Sequence, residues 1–235
     1  MLKKRKSPVS KGFVISIDGP SGAGKSSVSR NLAIALEGRL MDTGAMYRSV
    51  AYFSVKKKVD DEEAVAQIAR ALKFSVDPKT QVLLVNDKDL GQKIRTQKIG
   101  AMASKVSQFK KVRALLTSKQ RRLGKQLSRK FPVVVEGRDI GTIVFPKVDF
   151  KFFVTADPKV RAERRYHQLK AHGNTKITLK EILKQNAARD RADSSRKLAP
   201  LKCAEDAIVV DTSHMGMTQV VNFMCDHING KRKLL

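Results

Sequence analysis

The chain has 235 residues, of which 41% are hydrophobic, so it can bury the core of one large domain. No apolar run reaches the roughly 18 residues of a membrane span. The basic stretch 1–10 is not followed by a secretory apolar region, so we expect a cytoplasmic protein without a membrane partner. The net charge of +26 favours anionic partners. These are nucleic acids or small phosphorylated ligands, and composition alone does not choose between them.

Two features carry no fold information. Residues 1–11 contain a run of Lys and Arg, which is typical of a disordered, solvated tail. Nonspecific nucleic-acid contact is the weaker alternative, and residues 12–235 are predicted to form a single domain. Cys203 and Cys225 have neither metal-ligand spacing nor the density of a disulfide framework, so we expect both to be buried as small apolar groups.

The first predicted unit is a strand, a Gly-rich turn and a helix. Phe13–Ile17 is apolar and rich in β-branched residues, as a strand buried on both faces requires. Apolar residues then recur at helical spacing over Val28–Leu36, and Gly38 offers a C-terminal stop. A short strand is predicted near Leu40.

The region from about 43 to 130 is expected to be an insertion containing a small β element. Over Lys73–Leu90 the pattern shifts towards alternation, with turn residues around the apolar run Val82–Val85. Gln97–Lys130 is predicted to be helical throughout, with its leucines buried and its Lys and Arg in water.

Three further strands are predicted at Val133–Val135, Phe150–Val154 and Ala207–Asp211. Two basic helices between about 158 and 192 meet at a joint over 172–174, which predicts a mobile lid. A final helix begins near Met217. The pattern as a whole predicts an α/β fold in which helices cover both faces of a central parallel sheet.

The turn after the first strand carries a phosphate-binding motif. Residues 19–26 fit Gly, four residues, Gly, Lys, Ser, and they lie between a predicted strand and helix. Glycines allow successive N–H groups to turn inward, and the helix N-terminus adds positive charge. Lys25 would bridge the β and γ phosphates, and Ser26 would bind Mg²⁺ through ATP. The predicted ATP-binding residues are Gly19, Pro20, Ser21, Gly22, Ala23, Gly24, Lys25, Ser26 and Ser27.

The reaction class depends on basic residues after other predicted elements. Phosphoryl transfer between two anions requires neutralisation of charge on both sides. Arg48 and Arg138 follow elements that end at the carboxyl edge of the sheet, where open α/β folds bind ligands. The sequence shows no obvious catalytic base, and this chemistry needs none because positioning and electrostatics carry it.

Several blocks of the sequence are informative when taken together: Ile17–Ser26, Met41–Arg48, Ile94–Gln97, Gly137–Thr142 and Arg189–Leu201. They resemble the bacterial-type cytidylate kinase family, and the likeness spans from about Phe13 to the C-terminus. Gly137–Thr142 and Asp193–Arg196 are much more selective than the phosphate loop, which many families share.

The resemblance implies a P-loop core, a monophosphate-binding region and an Arg-rich lid. It also implies an ATP-dependent enzyme that phosphorylates CMP or dCMP and uses Mg²⁺. Thr43 stands where family members often have Ser, which keeps the hydroxyl. The implied CMP-binding residues are Thr43, Tyr47, Arg48, Ser104, Arg113, Arg138, Asp139, Arg189, Asp193 and Arg196.

Within that set, Thr43, Arg48 and Arg138 would hold the acceptor phosphate. Ser104, Arg113 and Asp139 would read the base, Asp193 would accept from a sugar hydroxyl, and Arg196 would contact the sugar or base. A carboxylate accepts from the cytosine amino group and repels the uracil carbonyl at the same place. The residues expected to stabilise the transferring phosphate are Lys25, Arg161, Arg165 and Arg189.

Other functions remain open from the residues alone. A P-loop kinase acting on UMP or on a coenzyme precursor is the main alternative. A nucleic-acid-dependent NTPase fits the charge, and a nonenzymatic phosphate-binding module would require an incomplete site. We expect a monomer whose partners are small-molecule substrates.

Overall fold

The computed structural model describes residues 12–171 and 177–232. The predicted tail and the joint at 172–174 therefore lie outside the described residues. Within the described part, no helix is long and apolar enough to cross a membrane.

All five predicted strands are confirmed, and their bounds are β1 Val14–Asp18, β2 Arg39–Asp42, β5 Val133–Glu136, β6 Phe150–Thr155 and β7 Ile208–Asp211. They form one parallel sheet with the order β2-β5-β1-β6-β7. The three central strands are mainly apolar and largely buried on both faces, whereas at the edge Val209 of β7 is 57% exposed. Parallel pairing brings the carboxyl ends of all five strands to one edge of the sheet.

Helices cover both faces of this sheet. They are α1 Lys25–Ala35, α2 Thr43–Lys57, α3 Glu62–Ala71, α4 Gln97–Val106, α5 Lys110–Leu127, α6 Pro158–Ala171, α7 Leu179–Ser194 and α8 Met217–Arg232. On one face, α1 and α8 pack around Leu32, Phe152 and Met224. On the other, α2, α3, α4 and α5 pack around residues such as Met46 and Leu116.

The predicted β element is a two-stranded antiparallel sheet formed by β3 Phe74–Val76 and β4 Leu83–Val85. The single helix predicted over Gln97–Lys130 is wrong, because the chain breaks between α4 and α5. Phe109 there has an extended backbone and precedes the first turn of α5. The break leaves the carbonyl of Ser107 free to accept a hydrogen bond from Arg113 Nη1 at 3.1 Å.

Two smaller expectations need correction. Cys203 is exposed, and Cys225 is partly buried against the core. Gly38 is not the left-handed residue that ends α1, since Glu37 takes that conformation at φ 52°. The N–H of Gly38 bonds to Ala33 and that of Glu37 to Ile34, which closes the helix as a Schellman motif.

Gly38 is required for another reason. A Cβ at this position would lie 2.4 Å from the carbonyl oxygen of Pro132, where β2 and β5 begin side by side. We therefore expect Gly38→Ala to lower the free energy of unfolding by about 1–3 kcal/mol.

Gly230→Ala in α8 is the control, because a Cβ at this position would have no atom within 4 Å. It should leave stability unchanged or raise it by up to about 1 kcal/mol. Urea unfolding measures both, and equal stabilities would contradict the prediction.

Candidate functional site: a cationic cleft at the sheet edge

The predicted phosphate loop joins β1 directly to α1. Gly19, Gly22 and Gly24 all have positive φ, at 145°, 76° and 86°. A Cβ on Gly19 would lie 2.0 Å from the carbonyl oxygen of Val154, so the loop turns against the end of β6. Only glycine fits there. The sequence Gly19–Ser26 thus forms a tight turn whose N–H groups lie at the start of a helix.

Lys25 is buried at the bottom of this loop. Its ammonium donates to the carbonyl of Pro20 at 2.6 Å. Burial holds the pKa of Lys25 well below its ordinary value, and the charge of Arg138 acts in the same direction. Glu136 and Asp18 oppose this effect only in part, so a buried cation in this position favours an anionic ligand.

Ser26 donates from its hydroxyl to Glu136 Oε1 at 3.0 Å. Glu136 ends β5 and lies opposite Asp42 across the sheet. Burial raises the pKa of Glu136 to about 7, and the charge of Asp42 adds to the effect. Its second oxygen, Oε2, has no hydrogen-bond partner within the described chain. A hydroxyl beside an unpartnered carboxylate oxygen is a donor set that suits hydrated Mg²⁺.

The loop after β5 carries Arg138 and Asp139, and Asp18 holds it in place. The carboxylate of Asp18 accepts from the backbone N–H groups of Ile140 at 2.8 Å and Gly141 at 2.7 Å. A Cβ on Gly141 would lie 2.9 Å from Ser16 Oγ, so the loop lies tightly against β1. The Asp18 carboxylate thereby fixes the backbone next to Arg138 and Asp139, and so the direction in which these two side chains project.

Arg138 and Arg196 share one buried carboxylate. Arg138 Nε donates to Asp193 Oδ2 at 2.9 Å, and Arg196 donates to the other oxygen. Asp193 is only 1% exposed and lies in the last turn of α7. Thr43 lies nearby, where its hydroxyl donates to the carbonyl of Glu136 at 2.7 Å. The structure therefore joins three elements that are far apart in sequence.

A second ion pair lies beside the first. Arg113 Nη2 is 2.5 Å from Asp139 Oδ2, and both side chains are buried. The guanidinium carbon of Arg113 is 5.6 Å from the centre of the Tyr47 ring. Burial raises the pKa of Tyr47 to about 12. Ser104 is partly buried on α4, in the turn that leads to Ser107.

Arg48 and Arg189 lie close enough to Arg138 to interact with its charge, and together with Lys25 these residues form what we call the cationic cleft. Arg48 donates to the carbonyl of Ile94 at 3.3 Å. Its pKa is lowered by burial, and the charges of Arg95, Arg138 and Arg165 lower it further. Burial lowers the pKa of Arg189 to about 10, again with a contribution from Arg138. These cations repel one another across space that a phosphate would neutralise.

Two lid arginines have other contacts. Arg165 lies on α6 and is exposed as a whole residue, and it donates to Gln168 Oε1 at 2.7 Å. Partial burial of its guanidinium lowers its pKa. Arg161 is buried and donates to the carbonyls of Ser21 and Ala156 and to Asp190. Its hydrogen bond to Ser21 thus reaches the phosphate loop itself.

Some residues at the site were given no role from the sequence. Arg95 lies 3.5 Å from Asp42, whose carboxylate also caps α2. Arg164 donates to the side chain and the carbonyl of Thr212, at 2.9 and 2.6 Å. Because Asp42 follows a predicted strand, the sequence could have indicated that its side chain lies at the sheet edge. No sequence pattern could have indicated the contact between Arg164 and Thr212, because the two residues are 48 positions apart.

The buried carboxylate of Asp18 predicts a pH dependence of stability. Burial raises the pKa of Asp18 from 3.8 to about 6, and the charge of Asp139 acts in the same direction. The hydrogen bonds from Gly141 and Ile140 and the charge of Lys25 lower this pKa, but they do not outweigh burial. The folded protein therefore holds the proton more tightly than the unfolded chain. The resulting stability is fully present below pH 3.8 and is lost as pH rises through about 6.

We expect this loss to reach about 3 kcal/mol between pH 4 and 7. Asp18→Asn removes the titrating group, so the wild type should lose that much stability relative to the variant across this range. Urea unfolding at a series of pH values measures the difference. Parallel profiles for the two proteins would show that Asp18 does not titrate as described.

The chain is similar in sequence to known proteins over most of its length. Residues 15–230 match the family described as cytidylate kinase. A cytidylate kinase of Citrifermentans bemidjiense is 42% identical over 217 residues, which cover 91% of each chain. One from Thermosipho melanesiensis is 39% identical and covers 94% of this chain and 98% of its own. A solved structure of an uncharacterized protein from Eubacterium ventriosum has a similar fold, with a TM-score of 0.52, 11% identity and coverage of 92% of this chain and 98% of its own. The chain therefore belongs to the cytidylate kinase family.

Proposed function

We propose that this protein transfers the γ-phosphate of ATP to CMP or dCMP, giving ADP and CDP or dCDP. The observation that carries the proposal is the cleft itself. A phosphate loop lies at one end, a paired carboxylate and guanidinium at the other, and a cluster of mutually repelling cations between them. Two phosphorylated substrates placed head to head match that order of charges.

On the donor side, the loop Gly19–Ser27 would hold the phosphates of ATP. Its N–H groups and the N-terminus of α1 favour negative charge, and Lys25 would leave the Pro20 carbonyl to reach the β and γ phosphates. Ser26 would bind Mg²⁺ and Glu136 would hold its water. When bound, Mg²⁺ neutralises phosphate charge and aligns the donor.

On the acceptor side, Arg48 and Arg138 would hold the phosphate of CMP, with Thr43 beside them. Arg138 is already fixed by Asp193, so the phosphate meets an oriented donor. One oxygen of Asp193 would give up its contact with an arginine and accept a hydrogen bond from a sugar hydroxyl of CMP. Arg196 would then move with Asp193 to contact the sugar or the base. The regions at about 43–130 and 158–192 would close over the acceptor and the donor respectively.

Transfer itself needs positioning and charge stabilisation. Lys25, Arg165 and Arg189 would surround the oxygens of the transferring phosphoryl group, where negative charge is spread in the transition state. Before substrate binds, these cations repel one another, so few existing contacts have to be broken when the phosphoryl group arrives. Their interaction with the transferring group is therefore stronger.

Base selection would come from Asp139 and Arg113, with Ser104 at the edge and Tyr47 packed beside them. The carboxylate accepts from the cytosine amino group, while Arg113 donates to a ring acceptor. Uracil places a carbonyl where cytosine has its amino group, so two acceptors would face each other. UMP is therefore the poorer substrate. A monomeric state and a cytoplasmic location remain predictions from the sequence.

The proposal is tested by coupled ADP release with CMP, dCMP, UMP and AMP in the presence of Mg²⁺. We expect efficient turnover with CMP or dCMP, much lower kcat/KM with UMP and AMP, and little ADP release without an acceptor. Omitting Mg²⁺ should abolish turnover. A preference for UMP or AMP would replace the proposal with another nucleotide kinase. Strong ATP hydrolysis stimulated by RNA or DNA alone would favour a nucleic-acid-dependent NTPase.

Asp139→Asn tests base selection. The amide can donate to the uracil carbonyl that the carboxylate repels. We therefore expect kcat/KM for CMP to fall about tenfold or more, while that for UMP falls less or rises. Asp206→Asn, which alters an ion pair with Lys151 elsewhere in the protein, is the matched control. It should leave the ratio of the two efficiencies unchanged.

Asp139 also forms an ion pair with Arg113. This structural role predicts a different effect of the Asp139→Asn substitution. If orienting Arg113 were its whole contribution, the Asp139→Asn variant would weaken CMP and UMP in parallel. An unchanged ratio of CMP to UMP efficiency would therefore remove Asp139 from the base-reading residues.

A further inference from the structure

Both peptide groups of one residue in the phosphate loop are held by an ion pair from the lid helices. The N–H of Ser21 donates to Asp190 Oδ1 at 3.2 Å, and its carbonyl accepts from Arg161 Nη1 at 2.9 Å. The same Arg161 nitrogen is 2.5 Å from Asp190 Oδ2. One carboxylate and one guanidinium thus fix the orientation of the loop at Ser21.

The two members of this pair are held differently. Arg161 is buried, and its Nε donates to the carbonyl of Ala156, just after β6. A Cβ on Gly22 would lie 3.3 Å from the Cβ of Arg161, so α6 packs directly on the loop. Asp190 comes from α7 and reaches the loop only when α7 lies against α6. Arg161 is therefore anchored to the core of the protein, whereas Asp190 is brought to the loop by the packing of α7.

The position of Asp190 along α7 links the contact to both substrates. Arg189, the preceding residue, lies near Arg138 and Lys25 in the cationic cleft. Asp193, one turn further on, holds Arg138 and Arg196. Docking of Asp190 on Ser21 consequently fixes the helix that presents the other two side chains.

We infer that Arg161 and Asp190 are a pair of positioning residues that couples docking of α7 to the shape of the phosphate loop and to the placement of Arg189. Neither residue has to touch a phosphate for this. Arg161 thereby takes a different part from the transition-state contact that we predicted for it from the sequence. The inference rests on the proposed kinase function for its turnover measurements, and ATP affinity tests it independently of the acceptor.

The test is a double-substitution cycle with Arg161→Ala, Asp190→Ala and the variant carrying both. We expect each single change to weaken ATP binding in titration calorimetry and to lower kcat about tenfold or more, because a charge-assisted contact is lost. Their effects should not multiply, since either change breaks the same contact. The double variant should lie within about twofold of the worse single variant.

Asp190→Asn sharpens the test without a large change of shape. The amide oxygen can still accept from the N–H of Ser21, while the ion pair with Arg161 is lost. Its kcat should fall between those of the wild type and Asp190→Ala. Arg191→Ala, at the next and exposed position of α7, is the control and should keep kcat and ATP affinity within twofold. Thermal melting of every variant measures any general loss of stability.

A merely structural ion pair would lower the melting temperature and leave kcat and ATP affinity of the folded protein unchanged. That result, or single effects that multiply in the double variant, would overturn the inference. A wild type that binds ATP but fails to phosphorylate CMP would instead overturn the proposed function. In that case the ATP affinities of the variants would still decide whether the pair positions the loop.

Discussion

Mutual repulsion among cations that the protein partly buries is the constraint on which the rest of this structure depends. Lys25, Arg48 and Arg189 each have a pKa lowered by burial and by neighbouring positive charge. Such a cluster is stable only if other groups hold its members apart and oriented. Backbone carbonyls do this for Lys25 and Arg48, which donate to Pro20 and Ile94. Nearby carboxylates offset this repulsion only in part, because each of the three pKa values stays lowered.

Buried carboxylates make that cluster compatible with a folded protein, and each has a different task. Asp18 accepts only backbone N–H groups and thereby shapes the loop that carries Arg138. Asp193 divides its two oxygens between Arg138 and Arg196. Glu136 keeps one oxygen unpartnered within the described chain, next to Ser26. Stability and substrate recognition therefore draw on separate acidic groups, so their effects can be measured separately.

The sequence was most informative where structure is determined locally. The strands were predictable because runs such as Val133–Val135 have no polar face, and the loop was predictable because its glycines and Lys25 occur at fixed spacing. The break before α5 was not, since apolar positions continue at helical spacing across Phe109. Cys203 was misjudged because residue type alone sets only an average tendency to be buried.

The partners of the site residues were the least predictable feature. Arg138 and Asp193 are 55 positions apart, and Arg161 and Asp190 are 29 positions apart. Only the tertiary fold decides which carboxylate each guanidinium meets. The resemblance to cytidylate kinases implied a sugar contact for Asp193, which stays a prediction. It gave no sign that Asp193 also forms ion pairs with Arg138 and Arg196.

In the proposed reaction, one short segment of α7 would serve both substrates. Asp190 contacts the phosphate loop, Arg189 lies near Arg138 and Lys25, and Asp193 holds Arg138. These side chains lie within little more than one turn of the same helix, so a rigid helix cannot place one of them correctly and leave the others displaced. Under our proposal, a single docking event would therefore bring donor loop, transferring group and acceptor phosphate into register, and would limit transfer of the phosphoryl group to water before the acceptor is in place.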